Sequence, residues 1–159
     1  MRSSRIAVVA AVLAAVFALA PAARSAGSSH AFSATYTGKG HGRVTRTGAS
    51  GSATAVGRGT PIGRSTLSGS ATGVFTSSSC LTFRGTAVLE GASGSIKLAA
   101  RGVKICPPSV AATVGFSGTA RVTGGTAKFA GATGTLRYSG RYVGQEGSLT
   151  ITFKGHITY

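Results

Sequence analysis

Aspartate, asparagine and tryptophan are absent from the 159 residues, and two acids, Glu90 and Glu146, stand against seventeen lysines and arginines. Without Asp there is no Ser-His-Asp triad. Paired-carboxylate glycoside hydrolysis needs its two acids within about 5–10 Å. Glu90 and Glu146 fall in predicted turns that an up-and-down barrel puts at opposite ends, where solvated acids are the simpler reading. The three histidines do not converge either. His30 has inward parity, His156 outward parity, and His41 lies in a Gly-His-Gly stretch. No catalytic residue, metal site or cofactor is therefore assigned. The two cysteines, Cys80 and Cys106, are too far apart for C-x-x-C, and two thiols alone make a poor zinc site.

Long apolar runs are missing except at the start. Ile6 to Ala20 is apolar, Arg2 and Arg5 precede it, and Pro21 with small residues follows. A basic n-region, a short apolar core and small residues describe a secretory signal peptide. Fifteen helical residues span about 22 Å, short of a hydrocarbon core of about 30 Å, which disfavours a membrane anchor. We expect residues 1–26 to be this leader and 27–159 to be one β-domain, secreted to the cell envelope or beyond. Losing Arg2, Arg5 and Arg24 leaves fourteen cations against two acids, a net charge near +12.

What is abundant is Gly, Ser, Thr, Ala and Val, a mixture that suits strands joined by tight turns. Alternation predicts strands over 31–39, 64–76, 81–90, 95–103, 110–122, 134–143 and 148–159, with an unclear register in 41–60. A hairpin centred on position 93 pairs residues whose numbers sum to 186, which brings Cys80 opposite Cys106. A disulfide is the expectation for a secreted chain, closing a loop whose entropy is worth roughly 3–4 kcal/mol.

A large apolar residue followed two places later by Gly recurs at Tyr36/Gly38, Leu67/Gly69, Phe83/Gly85, Phe116/Gly118, Tyr138/Gly140 and Phe153/Gly155. Spacing of two puts both residues on one face of a strand. Glycine weakens a strand interior, so its repetition fits a strongly coiled sheet in which aromatics cover inward glycines. The fold class expected is all-β, a closed antiparallel barrel of about eight strands, with a sandwich as runner-up.

One stretch is more specific. Val122-Thr123-Gly124-Gly125-Thr126-Ala127-Lys128-Phe129-Ala130-Gly131-Ala132-Thr133-Gly134 resembles a segment of the allene oxide cyclase and dirigent barrel families. Their pattern is apolar-Thr-Gly-Gly-Thr-Gly-x-Phe-x-Gly-Ala-x-Gly. Ala127 departs from it, since the families carry Gly there. Small secreted bacterial proteins are similar. The resemblance implies an eight-stranded barrel, often oligomeric, with an apolar lumen. It does not carry the families' acid chemistry over, because no lumen-facing acid is found. Gly124, Gly125, Phe129, Gly131 and Gly134 are read as a fold-specifying crossing anchored by Phe129.

Parity sorts the remaining candidates. Tyr36, Phe83, Phe116, Tyr138 and Phe153 face inward and would line a ligand-holding lumen. Lys39, Arg84, Lys97, Arg121, Arg137, Arg141 and Lys154 face outward, as a solvated basic surface or as an attachment face for anionic cell-envelope polymers. Specific nucleic-acid binding is not expected, because the aromatics that would stack bases point away from the cations. The leading expectation is a non-catalytic binding or structural module of the envelope. The alternatives are a barrel that binds a small apolar ligand or isomerises it, and a polyanion-binding protein. A lumen of about 300 Å³ or more would favour the ligand-binding reading.

Overall fold

Alternating small and apolar residues, with glycines at the bends, form eight strands in the computed structural model, which describes residues 27–77, 80–106 and 113–159. In chain order they are β1 (Ser29–Val44), β2 (Gly48–Thr60), β3 (Gly63–Phe75), β4 (Leu81–Gly91), β5 (Gly94–Ile105), β6 (Thr113–Gly125), β7 (Thr133–Val143) and β8 (Ser148–Thr158). Each pairs antiparallel with the next, and β1 pairs with β8 from Ser29↔Thr158 to Lys39↔Ser148, closing a barrel. Closure removes the free sheet edges that a sandwich would leave, except where β5 and β6 part beyond Ala100↔Ala120. The leader expected over 1–26 lies outside the described residues, as do positions 110–112 of the expected sixth strand. Among the described residues no helix is long and apolar enough to cross a membrane.

The unclear stretch 41–60 resolves into the end of β1 and the whole of β2. Its register is regular, from Ser33↔Thr60 to Val44↔Ala49. Apart from Val44 at the rim, the inward positions there are Gly42, Ala49, Gly51, Ala53, Ala55, Gly57 and Gly59, and their small size hides the alternation that large residues make visible elsewhere.

The turns divide the barrel into two ends. The β2–β3, β4–β5 and β6–β7 connections share one end with the first and last described residues. The β1–β2, β3–β4, β5–β6 and β7–β8 connections share the other. The first end is filled. Phe32, Tyr36, Leu89, Ile96, Val122, Phe129, Leu136 and Ile157 are essentially inaccessible there. Phe129 belongs to a single 3-10 turn, η1 (Ala127–Phe129), that folds under this end of the barrel. Its ring meets Tyr159 edge-on at 5.0 Å, and Tyr159 stacks on His30 at 4.5 Å.

The turn is held by the neighbouring hairpin. Lys128 N donates to Ser93 O at 3.1 Å and Thr126 N to Ser95 O at 3.0 Å, while Ser95 N donates to Thr126 Oγ1 at 3.0 Å. The glycine-rich signature thereby gains a physical account. A Cβ at Gly125 would collide with Ser95 O and with Phe129 backbone, so only Gly lets the crossing approach that closely. Gly131 leaves the turn at φ 74°. Gly124 sits where the β5–β6 register shifts, opposite Lys97, and Gly134 pairs with Val122 and with Ile157. Ala127, the departure from the resembled pattern, is the one non-glycine with positive φ among the described residues, at 50°.

Aromatic rings cover inward glycines across strands, as the spacing predicts. Phe116 pairs with Gly140 and Tyr138 with Gly118. A Cβ on Gly118 would lie 2.7 Å from Tyr138 Oη, and one on Gly73 2.7 Å from Phe83 Cε1.

Cys80 and Cys106 form the expected disulfide, but the hairpin register behind that expectation needs correction. The turn is tighter than a centre at 93 requires. Gly91 pairs with Gly94 and Leu89 with Ile96, a sum of 185. Beyond the register shift between Phe83 and Gly85, Phe83 pairs with Val103 and Leu81 with Ile105, a sum of 186. A bulge at Arg101-Gly102, with Gly102 at φ 70°, inserts the extra residue that brings the cysteines level. Disulfides of this kind belong to non-reducing compartments.

On the outer face the register sets Arg58 opposite Arg64 and Arg137 opposite Lys154. Like charges directly across a ladder repel.

Three outcomes follow from this packing. Phe129→Ala removes the plug and costs about 3–5 kcal/mol, measured by denaturant unfolding; an unchanged midpoint would refute the anchoring role. Ala127→Gly relieves a left-handed backbone and stabilises by about 0.5–1 kcal/mol, with a lower melting temperature as the contrary result. The melting temperature rises from low to high NaCl as the Arg58/Arg64 and Arg137/Lys154 repulsions are screened, and a flat or falling curve would contradict their cost.

Candidate functional site: a lumen open at one end

Away from the plugged end the lumen is not filled. A cavity of about 810 Å³ extends from the middle of the barrel to the end that carries the disulfide. Its two walls differ because the inward residues differ. On β1, β2 and β3 the cavity meets Leu67 and, at the rim, Val44 and Phe75, but the inward positions between them are Gly40, Gly42, Gly51, Ala53, Gly69 and Ala71. These offer little more than backbone. On β6, β7 and β8 it is Val114, Phe116, Tyr138, Tyr142, Leu149, Ile151 and Phe153. The cavity thus exists where large side chains on one wall face small ones on the other.

The large wall carries a row of rings. Phe116 and Tyr138 lie 6.3 Å apart, Tyr138 and Phe153 6.0 Å, and Phe153 and Tyr36 6.2 Å edge-on. Of the five aromatics predicted to face inward, Phe83, Phe116, Tyr138 and Phe153 border the cavity. Tyr36 also points inward, but it lies in the packed half, is fully inaccessible, and its hydroxyl shares a 2.8 Å hydrogen bond with Ser65. It forms part of the floor rather than the lining.

Polar groups reaching the cavity are few. Among the described residues the Tyr138 hydroxyl has no hydrogen-bond partner, and Tyr142 Oη donates to Gly40 O at 3.3 Å. Burial pushes the Tyr138 phenol above its ordinary pKa. Tyr36 is raised too, by burial first, with the Ser65 hydrogen bond pulling the other way. Both phenols are therefore neutral donors at ordinary pH. His41 and Arg43 stand at the mouth. Among the described residues no group of three His, Cys, Asp or Glu is arranged to hold a metal. Glu90, beside the β4–β5 turn, and Glu146, in the β7–β8 turn, are exposed at opposite ends.

The wall has one thin place. β5 pairs with β6 only from Ile96↔Gly125 to Ala100↔Ala120. Beyond that, residues 101–105 and 113–119 have no ladder between them, and this seam flanks the lined cavity through Val103, Ile105, Val114 and Phe116.

Outside the barrel, Lys39, Arg84, Lys97, Arg121, Arg137, Arg141 and Lys154 are all exposed. Parity along regular strands found these seven. It missed Arg43, Arg46, Arg58, Arg64, Arg101, Lys104 and Lys128, which are equally exposed. Most of these lie at turns, at the bulge, or in the 41–60 stretch whose register could not be read. The small-residue wall escaped notice for the same reason: Gly and Ala carry no directional signal of their own.

No protein-family model and no curated protein matches the chain. Among solved structures it is similar to one described as pyocyanin demethylase, with a TM-score of 0.53 and 12 % identity over 82 % of this chain and 100 % of that one. At that identity the likeness is one of fold, a barrel.

Proposed function

We propose that this chain is a secreted, non-catalytic binding module of the cell envelope whose lumen holds an apolar, ring-bearing small molecule. One observation carries the reading: an 810 Å³ cavity between the Phe116–Tyr138–Phe153 row and a wall of glycine and alanine. A flat apolar guest stacks on the rings on one side and meets nearly bare backbone on the other. Apolar walls with a few placed polar groups are the usual make-up of small-molecule sites. The Tyr138 hydroxyl supplies the polar point, donating to an acceptor on the guest. Isomerisation is less favoured, since Tyr138 and Tyr142 lack an acidic or imidazole partner deep in the lining. The structural neighbour bears an enzyme's name, but at 12 % identity it lends a fold and not an activity. Secretion is supported by the leader-like residues 1–26 and by the disulfide.

A second reading, binding of an anionic polymer on the outer wall, draws support from the like-charge pairs Arg58/Arg64 and Arg137/Lys154, which an external polyanion would relieve.

The lumen reading is tested with the uncharged dye Nile red. The wild-type protein raises its fluorescence on binding. Ala53→Leu with Ala71→Leu fills the small wall without altering charge, and weakens that binding by about tenfold or more. Tyr138→Phe keeps the ring but removes the donor, and weakens dye binding less, by about two- to fivefold. No binding by the wild type, or equal binding by the filled variant, would sink the proposal.

A further inference from the structure

Four large apolar side chains are strongly exposed among the described residues: Val44 at 47 %, Val56 at 66 %, Val74 at 61 % and Phe75 at 37 %. Val56 stands alone on the outer wall. The other three gather at the open end. Val44 ends β1 and pairs with Ala49, Gly48 pairs with Val74, and Phe75 ends β3 opposite Leu81. They therefore crown the ends of β1 and β3, on either side of β2, at the rim of the cavity, where Val44 and Phe75 also border it. Cations surround them. Arg43 precedes Val44, Arg46 lies in the following turn, and Lys104 stands across the mouth beside Ile105, all exposed. Among the described residues Glu146 is the one acid at this end, and its Oε2 accepts from Ser148 Oγ at 3.1 Å.

From this rim we infer that the open end docks on an anionic lipid bilayer. Val44, Val74 and Phe75 enter the boundary between headgroups and acyl chains, and Arg43, Arg46 and Lys104 engage headgroup phosphates. Exposed apolar groups amid cations are the chemistry of interfacial binding. A soluble polyanion would use the charges but gain nothing from the apolar crown. The far end also has cations, Arg58 and Arg64 among them, but no such crown among the described residues. Docked this way, the mouth opens into the bilayer, so an apolar guest passes into the lumen without crossing water. That last consequence rests on the lumen reading; the docking itself does not.

Cosedimentation of the full secreted chain with vesicles tests the docking. The protein pellets with phosphatidylglycerol-containing vesicles and far less with pure phosphatidylcholine. Val74→Ser with Phe75→Ser weakens binding to the anionic vesicles by about tenfold. Arg43→Ser with Arg46→Ser weakens it by roughly tenfold or more, since each cation near an anionic surface is worth about fivefold. Arg58→Ser with Arg64→Ser removes the same charge from the far end and changes binding by less than about threefold. All six positions are on the surface, and unchanged melting temperatures verify that each variant is folded. Equal loss from the far-end variant, or an unaffected Val74/Phe75 variant whose binding polyphosphate abolishes, would overturn the proposal in favour of simple polyanion attachment. Wild-type failure to bind anionic vesicles, with or without the dye in the lumen, would overturn it as well and leave the lumen reading standing.

Discussion

Closing eight strands into a ring fixes how much space lies inside, and everything else in this structure depends on how that space is divided. At one end it is divided among large residues. Phe129 swings under the barrel on a single turn and completes a core with Phe32, Ile96, Leu136 and Ile157. At the other end the same circumference is shared between rings on β6–β8 and glycine or alanine on β1–β3. The result is a barrel with a solid base and a hollow top, and both halves follow from residue volume along strands of one geometry.

The glycines serve two separate purposes within that scheme. Gly118 and Gly140 lie beneath Tyr138 and Phe116, so the rings lie flat on the wall and the row they form stays compact. Gly51 and Gly69 have no ring over them and border the cavity. A glycine-rich composition is thus compatible with a well-packed core in one half and a cavity in the other. The basic exterior is similarly uneven in meaning: Arg58 and Arg64 oppose each other on the wall, whereas Arg43 and Arg46 flank an apolar rim.

The barrel, the disulfide and the inward aromatics were legible from the chain because each leaves a period-two or arithmetic trace. The disulfide was anticipated from a hairpin sum of 186, yet the turn itself obeys 185. The pairing is met through the bulge at Arg101-Gly102, which no residue pattern announced. Tyr36 illustrates a different limit. Its parity agrees with that of Phe153, but parity gives a direction and not a height, and its height along the axis makes it floor rather than lining. Stretch 41–60 was opaque because Gly, Ala and Ser alternate without contrast.

Sequence alone determined the strands that carry large inward residues, the cysteine pair, the excess of cations and the crossing built around Phe129. These are local properties, readable from spacing and composition. Tertiary structure decided which end Phe129 plugs, that the lumen is hollow above it, and that Val44, Val74 and Phe75 meet at its mouth. Those facts depend on the ring of registers from β1 to β8, because only closure brings the small wall opposite the aromatic one and sets distant strand ends side by side.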